Sequence, residues 1–317
     1  MSLAPLLALA KAELMAVAIS LTGLTLLSLE EELYIPILTL MLGHLLRRRS
    51  ANVVTSFGSG EKRIVVMAHY DSAKAAYSFN PRRVHMLRRT IYVNFFSSIL
   101  VVVMTIVGVF LFRYALFTAL ILSTPLWLTV AILIHRELFH NYVPGANDNA
   151  SGVAVVLGLA ESLKREEQSL GSKISLYIVF TGAEEVGMLG SYYFRKYNPH
   201  LLSNAIIINV DNPGFGKLYL TECEGVVLTW CSNKEFRTFI HKFAKSKGIN
   251  TMVYKLLPTD ATPLMRSGYK ATSLMAFANG MIKNYHWYSD TADGIDSRNL
   301  AKARDILLEL IKSLAIY

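Results

Sequence analysis

Two long apolar stretches dominate the pattern of hydrophobic and polar positions in the first half of the chain. Residues 91–112 are interrupted by few polar side chains, residues 114–134 carry no charge, and Arg113 alone separates the two stretches. A helix that crosses the roughly 30 Å hydrocarbon core of a bilayer needs about 20 residues, so each stretch is long enough. The pattern predicts a transmembrane hairpin within residues 90–135. A soluble hairpin is disfavoured because neither stretch has a polar face to present to water.

The N-terminal region repeats this pattern with shorter segments. Residues 14–29 and 33–46 are apolar, three consecutive glutamates separate them, and three consecutive arginines follow. Segments of this length form short transmembrane helices, interfacial helices or core helices. We predict a second transmembrane hairpin within residues 1–50.

Arginines flank the apolar stretches on one side. Loops rich in arginine and lysine stay in the cytoplasm, so this distribution predicts an integral, multi-pass membrane protein whose remaining chain is cytoplasmic. The glutamate turn and Arg113 are then expected on the opposite side of the membrane. The eight flanking residues are Arg47, Arg48, Arg49, Arg82, Arg83, Arg88, Arg89 and Arg136.

The rest of the chain alternates short β-branched runs with amphipathic stretches. Continuous apolar strands are typical of a sheet covered on both faces, so we predict an α/β fold with a mixed, mostly parallel sheet flanked by helices. Residues 51–89 and 136–317 are expected to form one domain that is interrupted by the hairpin. The predicted strands are residues 63–68, 174–180, 205–210, 217–220, 252–256 and 272–277, and the predicted helices are residues 150–164, 187–197, 234–246 and 297–315.

Composition and charge agree with this division. The 317 residues are 53% hydrophobic and 17% charged, against roughly 45–50% apolar and 25% charged in soluble domains. The net charge of +9 would fall to +1 without the eight flanking arginines, so the basic balance reflects membrane topology and not a nucleic-acid partner. Cys223 and Cys231 are too few for a disulfide framework and are not spaced for zinc. We expect two free thiols in a reducing compartment.

Histidine and acidic side chains follow the predicted strands, where open α/β sheets place their ligand sites. Two histidines and four carboxylates at one sheet edge would suit zinc or a similar divalent ion. Five of these groups are enough for two ions that share a carboxylate, and the sixth would be free to act as a base. An N-terminal helix cap is the alternative role for Asp148, which directly precedes a predicted helix. The two histidines are His69 and His286, the four carboxylates are Asp148, Glu184, Glu185 and Asp211, and Asp71 beside His69 is a further candidate.

The order and spelling of these motifs resemble the M28 family of co-catalytic zinc peptidases. The matching pieces are His69-x-Asp71, Asp148 to Gly152, Glu184-Glu185-x-Gly187, Asp211, and His286 followed by Asp290, with a looser match at Thr259 to Pro263. The resemblance implies a zinc-peptidase fold with His69 and Asp211 on one ion, Glu185 and His286 on the other, and Asp148 bridging them. It also implies Glu184 as general base and Asp71 as the carboxylate that orients His69.

Two departures from the family pattern stand out. Trp287 occupies a position where the family usually has threonine, which affects the expected substrate contacts. His69 and Asp148 are 79 residues apart, where relatives have a short connection, and the predicted hairpin fills this gap. The mouth of the site is therefore expected near the membrane surface.

The resemblance implies a membrane-anchored di-zinc metallopeptidase, an aminopeptidase acting on short peptides, with a peptide and the lipid bilayer as partners. Three alternatives stay open. The first is a carboxypeptidase, the second is an enzyme like the glutaminyl cyclases, and the third is a non-catalytic membrane receptor or scaffold on the peptidase fold.

Overall fold

The computed structural model describes residues 3, 5, 12–45, 49–165 and 172–317. Of the flanking arginines, Arg47 and Arg48 lie outside the described residues, as does Leu46, the last residue of the N-terminal apolar stretch 33–46. The chain divides into two compact units. The first, here called the helical unit, comprises Met1–His44 and Ala76–Asn141, and the second, the α/β unit, comprises Leu45–Ala75 and Tyr142–Tyr317.

The helical unit contains the predicted inserted hairpin. Within the described residues, three segments are long and apolar enough to cross a membrane: Glu13–Glu30, Val84–Phe110 and Tyr114–Phe139. The last is broken at Ser123, two residues before Pro125, into two helices. The helices of this unit are Glu13–Leu27, Ile37–Leu45, Leu87–Phe110, Tyr114–Leu122 and Thr124–Phe139.

The second span predicted in the N-terminal region is not among the three segments. Within the described residues, helix Ile37–Leu45 starts after Pro36 and has nine residues, or about 14 Å of helix, which is less than half the core of a bilayer. Tyr34 just before it has a positive φ of 49°, so the chain leaves the helical path between the two apolar stretches.

Polar side chains of the helical unit form one partly buried pair and one exposed pair. The Asn94 amide donates a hydrogen bond to the Thr129 hydroxyl at 2.7 Å, which links the two long helices of the hairpin. Arg113 forms an ion pair with Glu13 at 3.5 Å. Such pairing is expected in lipid, where an unpaired polar group has no water to bind.

The α/β unit is built on an eight-stranded mixed sheet, which confirms the predicted fold class. The strand order is β1-β3-β2-β4-β8-β5-β6, and β7 pairs with β5. The four central strands β3, β2, β4 and β8 run parallel to one another. The strands are β1 (Val53–Phe57), β2 (Lys62–His69), β3 (Ile174–Thr181), β4 (Ile206–Val210), β5 (Lys217–Glu224), β6 (Trp230–Cys231), β7 (Asn250–Tyr254) and β8 (Lys270–Phe277).

Helices cover both faces of this sheet. In β2, Ile64, Val66 and Ala68 contribute to the core on one face, while Val65 and Met67 contribute to the core on the other. This alternation follows from the two-residue period of a strand, and it explains why the strand is a continuous apolar run. The helices are Ser151–Arg165, Lys234–Ser246 and Ser297–Ile316 on the first face, and Leu189–Tyr197, Pro199–Leu202 and Thr262–Arg266 on the second.

The α/β unit pairs the residues on either side of Ala76–Asn141, the part of the chain assigned to the helical unit. Lys74 and Tyr142 form an isolated antiparallel bridge, and the Val143 amide donates to the Ala73 carbonyl at 2.9 Å. The chain therefore closes at the base of the insertion, and residues on either side of it belong to one folded unit.

The prediction of two free thiols is wrong. Cys223 and Cys231 form a disulfide. The two residues lie directly opposite each other on the antiparallel strands β5 and β6, a register that the sequence spacing does not reveal.

Candidate active site

Three adjacent parallel strands place the predicted side chains at one edge of the sheet. His69 is the last residue of β2, Asp211 directly follows β4, and Glu184 lies three residues beyond β3. The strands β3, β2 and β4 are neighbours, so their carboxyl ends converge as expected for an open α/β sheet. His286 reaches the same place from the loop that follows β8.

The structure brings these residues into two groups that share Asp148. One group is His69, Asp148 and Asp211, and the other is Asp148, Glu185 and His286; within each, the ligand atoms all lie within 4.8 Å of one another. The Nε2 atom of His69 is 3.1 Å from Asp148 Oδ1, and that of His286 is 3.0 Å from Asp148 Oδ2. Each oxygen of one carboxylate thus faces a different histidine.

The remaining distances complete the two groups. His69 Nε2 is 3.7 Å from Asp211 Oδ1, and His286 Nε2 is 3.2 Å from Glu185 Oε2. His69 also forms a third group within 4.8 Å with Glu184 and Glu185. Glu184 therefore lies beside the two groups that share Asp148 but belongs to neither.

The chemistry of this cluster fits divalent cations. Among the described residues, the only basic side chains within 4 Å of the Asp148, Asp211 and Glu185 carboxylates are the two histidines. Glu185 Oε1 is buried without a hydrogen-bond donor, and Asp148 Oδ2 has only the ring nitrogen of His286 beside it. Buried carboxylate oxygens without donors are costly unless a cation pairs with them, and imidazole and carboxylate ligands suit zinc.

The pKa values record the same excess of negative charge. Burial opposes the charged form of His286, but the carboxylates of Glu185 and Asp148 outweigh it and raise its pKa to about 10. The pKa of His69 is also raised well above its usual value, because Glu184, Asp148 and Asp211 outweigh the effect of burial. Protons therefore occupy the places of cations in the metal-free cluster.

Burial raises the pKa of Glu184 well above its ordinary value. The charge of His69 lowers it, and the negative charges of Glu185, Asp260 and Asp211 raise it further. A carboxyl group that is displaced in this way and lies beside a metal-binding cluster is a candidate for proton transfer.

Asp71 contacts the site differently from the expected role. Its backbone oxygen, 3.1 Å from His69 Nδ1, makes the closer contact with that histidine. The Asp71 carboxylate lies 3.7 Å from the same nitrogen and accepts hydrogen bonds from the backbone amides of Glu184 at 3.1 Å and Glu185 at 3.2 Å. Asp71 therefore fixes the glutamate segment as well as the histidine.

The segment that carries Asp148 is held by Asp290, a residue for which the sequence motifs predict no role. Asp290 is 1% exposed, and its two carboxylate oxygens accept the backbone amides of Asn147 at 2.8 Å and Asp148 at 3.0 Å. Its position four residues after His286 was the only signal in the sequence.

The alternative role of Asp148 as a helix cap is taken by its neighbour. Asn149 Oδ1 accepts the backbone amide of Gly152 at 3.0 Å, which caps helix Ser151–Arg165. The Asp148 carboxylate is therefore free to face the histidines.

The segment Thr259 to Pro263 contacts the end of β3, the strand that precedes the glutamates. Asp260 is fully buried and accepts a hydrogen bond from the hydroxyl of Thr181, the last residue of β3. Burial raises the pKa of Asp260 to about 6.

Comparisons with known proteins agree with this geometry. Residues 130–311, more than half of the chain, match the sequence model described as peptidase family M28. The human protein "Endoplasmic reticulum metallopeptidase 1" (Homo sapiens) is 26% identical over 175 residues, which is 54% of this chain and 19% of that protein. "Aminopeptidase YwaD" of Bacillus subtilis (strain 168) is 33% identical over 91 residues, which is 26% of this chain and 19% of that protein.

The matches thus span about a fifth of the length of these relatives. Among solved structures, BSAP, a zinc aminopeptidase from Bacillus subtilis, superposes with a TM-score of 0.50 at 18% identity, covering 87% of this chain and 55% of that one. At this identity the likeness shows a shared fold.

Proposed function

The chain belongs to peptidase family M28, and on this premise we propose that it is a membrane-anchored aminopeptidase that works with two zinc ions. Membership confirms the resemblance found in the sequence motifs. The observation that carries the proposal is the pair of ligand groups that share Asp148. A single carboxylate that faces two histidines from its two oxygens is suited to bridge two ions.

We assign the ligands from these groups. His69 and Asp211 would hold one ion, Glu185 and His286 the other, and Asp148 both. When bound, the ions would supply Lewis-acid polarisation of the scissile carbonyl and would acidify water in the site. The oxygen and nitrogen donor set fits this role, and no thiolate lies in either group.

Glu184 is proposed as the general base. It lies within 4.8 Å of His69 and Glu185 but outside the two groups that share Asp148, so its carboxylate is available to accept a proton from water and return it to the leaving amine. Asp71 holds the backbone of Glu184 in place through the hydrogen bond at 3.1 Å.

An aminopeptidase is favoured over the other classes. The relative YwaD is an aminopeptidase, and BSAP is a zinc aminopeptidase. A non-catalytic scaffold would have no need of two complete ligand groups, and a one-metal enzyme would not need the second. Short peptides are the proposed substrates, and nucleic acid is not a proposed partner.

We further propose that the helical unit anchors the protein as a multi-pass membrane protein with the catalytic domain on the cytoplasmic side. The three apolar segments support membrane anchoring, and the arginines next to the apolar stretches of the sequence support the cytoplasmic side. In this scheme residues 51–89 and 136–317 are the catalytic domain, residues 90–135 are an inserted hairpin, and residues 1–50 form the N-terminal anchor.

Activity and metal content of detergent-solubilised protein test the proposal. Wild type loaded with zinc should bind two ions per chain and should cleave peptides with a free N-terminal amine but not N-blocked ones. Cleavage of N-blocked peptides from the carboxyl end would instead identify a carboxypeptidase.

The variant Glu184→Gln separates the base from the ligands. It should lose about 10²–10⁴-fold in kcat while keeping both zinc ions, whereas Asp148→Asn should lose zinc as well as activity. Glu61→Gln, an exposed glutamate of the same unit, is the matched control. Full activity in Glu184→Gln, or loss of zinc together with activity, would show that Glu184 is not the base.

A further inference from the structure

One buried carboxylate of the α/β unit has no part in the proposed mechanism. Glu224, the last residue of β5, is fully buried, and the hydrogen bonds it accepts among the described residues come from hydroxyl groups. Its partners are three threonine hydroxyls. Thr221 donates to Oε1 at 2.6 Å, and Thr259 and Thr262 both donate to Oε2 at 2.7 Å.

The direction of these hydrogen bonds is set by the backbone. Each hydroxyl oxygen already accepts a backbone amide: Thr221 that of Ser273 at 2.7 Å, Thr259 that of Ala261 at 3.1 Å, and Thr262 that of Thr259 at 2.8 Å. A hydroxyl has one proton to donate, and Thr221 and Thr262 donate it to Glu224; Thr259 donates to Glu224 and also lies 3.1 Å from the Ser273 hydroxyl. Glu224 therefore acts only as an acceptor, and an amide in its place would oppose at least one donor.

Two of the three threonines belong to the loop that carries Asp260. Thr259 and Thr262 flank this residue, and both are bound to the same oxygen of Glu224. Asp260 accepts the Thr181 hydroxyl at the end of β3, and its negative charge contributes to the raised pKa of Glu184. Buried hydrogen bonds, joined by the backbone of residues 259–262, thus connect Glu224 to the strand end that precedes the proposed base.

We propose that Glu224 is a positioning residue of the active site, which holds Asp260 against Thr181 through Thr259 and Thr262 and so fixes the segment that carries Glu184 and Glu185. The inference rests on the proposed function, because it assigns the role relative to the proposed base and a proposed ligand. Glu224 touches no substrate in this scheme. It acts through the loop alone.

Two threonines provide a matched pair of variants. Thr262→Val and Thr221→Val each remove one hydroxyl bond to Glu224 and one acceptor of a backbone amide, but only Thr262 lies on the Asp260 loop. Both variants should lower the melting temperature to a similar extent. Thr262→Ser keeps the hydroxyl and should behave like wild type.

The first readout is kcat and KM for the zinc-loaded protein on a free-amine peptide. Thr262→Val should lower kcat by about 10- to 100-fold with KM unchanged, because small displacements of a catalytic group have effects of this size. Thr221→Val should leave kcat unchanged.

The second readout is zinc affinity, which does not depend on activity. Because Glu185 lies on the same segment, Thr262→Val should weaken zinc binding by about tenfold while Thr221→Val leaves it unchanged. Equal effects of the two valine variants on kcat and zinc affinity, or no effect of Thr262→Val, would overturn the inference. Wild type that cleaves no peptide but shows this difference in zinc affinity would refute the proposed function and leave the positioning role standing.

Discussion

The replacement Asp290→Asn is expected to weaken metal binding without altering a ligand. The Asp290 carboxylate accepts two consecutive backbone amides, those of Asn147 at 2.8 Å and Asp148 at 3.0 Å. Asparagine has one acceptor oxygen, and its amide group would face the second backbone donor. The variant therefore removes one hydrogen bond from the segment that carries the bridging carboxylate.

The size of the effect follows from the kind of bond that is lost. A hydrogen bond to a charged group contributes about 1.5–3 kcal/mol, and Asp290 is 1% exposed, so water does not replace it. With about 1.4 kcal/mol for each factor of ten, zinc affinity should fall by about 10- to 100-fold. The same range is typical of residues that orient metal ligands.

Competition with a chelator of known affinity measures this change. The control is Asp293→Asn, which makes the same change of charge at an exposed carboxylate three residues away. Both variants should fold, and only Asp290→Asn should release zinc at lower chelator concentration. Equal affinity in the two variants would refute the claim that Asp290 holds the Asp148 segment in its binding geometry.

Two further predictions concern protons and thiols. Because the pKa of His286 is about 10 and that of His69 is raised, both histidines carry protons at pH 7 in the metal-free protein. Zinc binds neutral imidazole, so zinc binding should release about two protons and should tighten as pH rises towards 10. Calorimetry in two buffers measures the proton release. Binding that is independent of pH between 7 and 9 would contradict this. Unfolded protein should give no free thiol before reduction and two afterwards. Cytosolic proteins seldom retain disulfides, so the same titration on freshly lysed cells also tests the proposed cytoplasmic location.

The central strands could be predicted because both of their faces are buried. In β2 every residue from Ile64 to Ala68 is apolar, and the structure divides them between two cores. Strand β1 is mostly exposed at the edge of the sheet and β6 has two residues, so neither has a pattern to detect.

The cysteines show the limit of spacing as a signal. Cys223 and Cys231 are eight residues apart, and only the register of β5 against β6 places them opposite each other. That register depends on the turn and on neighbouring strands, which the sequence spacing does not reveal. The sequence therefore predicted free thiols, whereas the structure has a disulfide.

The residues that the structure groups around Asp148 could be predicted from strand ends and motif order, but the contacts that hold their segments could not. Asp71 and Asp290 use one device twice: each carboxylate accepts two consecutive backbone amides of a segment that carries a proposed ligand. Which amides converge on a carboxylate depends on the path of the backbone, and residue types do not reveal it.

This arrangement has a consequence for the ligands. Because the segments are held through their backbones, the side chains of Asp148 and Glu185 need no hydrogen bonds to stay in place. Glu185 Oε1 is buried without a donor, and Asp148 Oδ2 contacts only the ring nitrogen of His286, itself a proposed ligand. A carboxylate oxygen that accepts hydrogen bonds from backbone amides would have to lose them to bind a cation. Glu185 Oε1 and Asp148 Oδ2 accept none from the backbone. The supports therefore contribute to metal affinity by leaving the ligand oxygens free, which is why Asp290→Asn should weaken zinc binding although Asp290 is not a ligand.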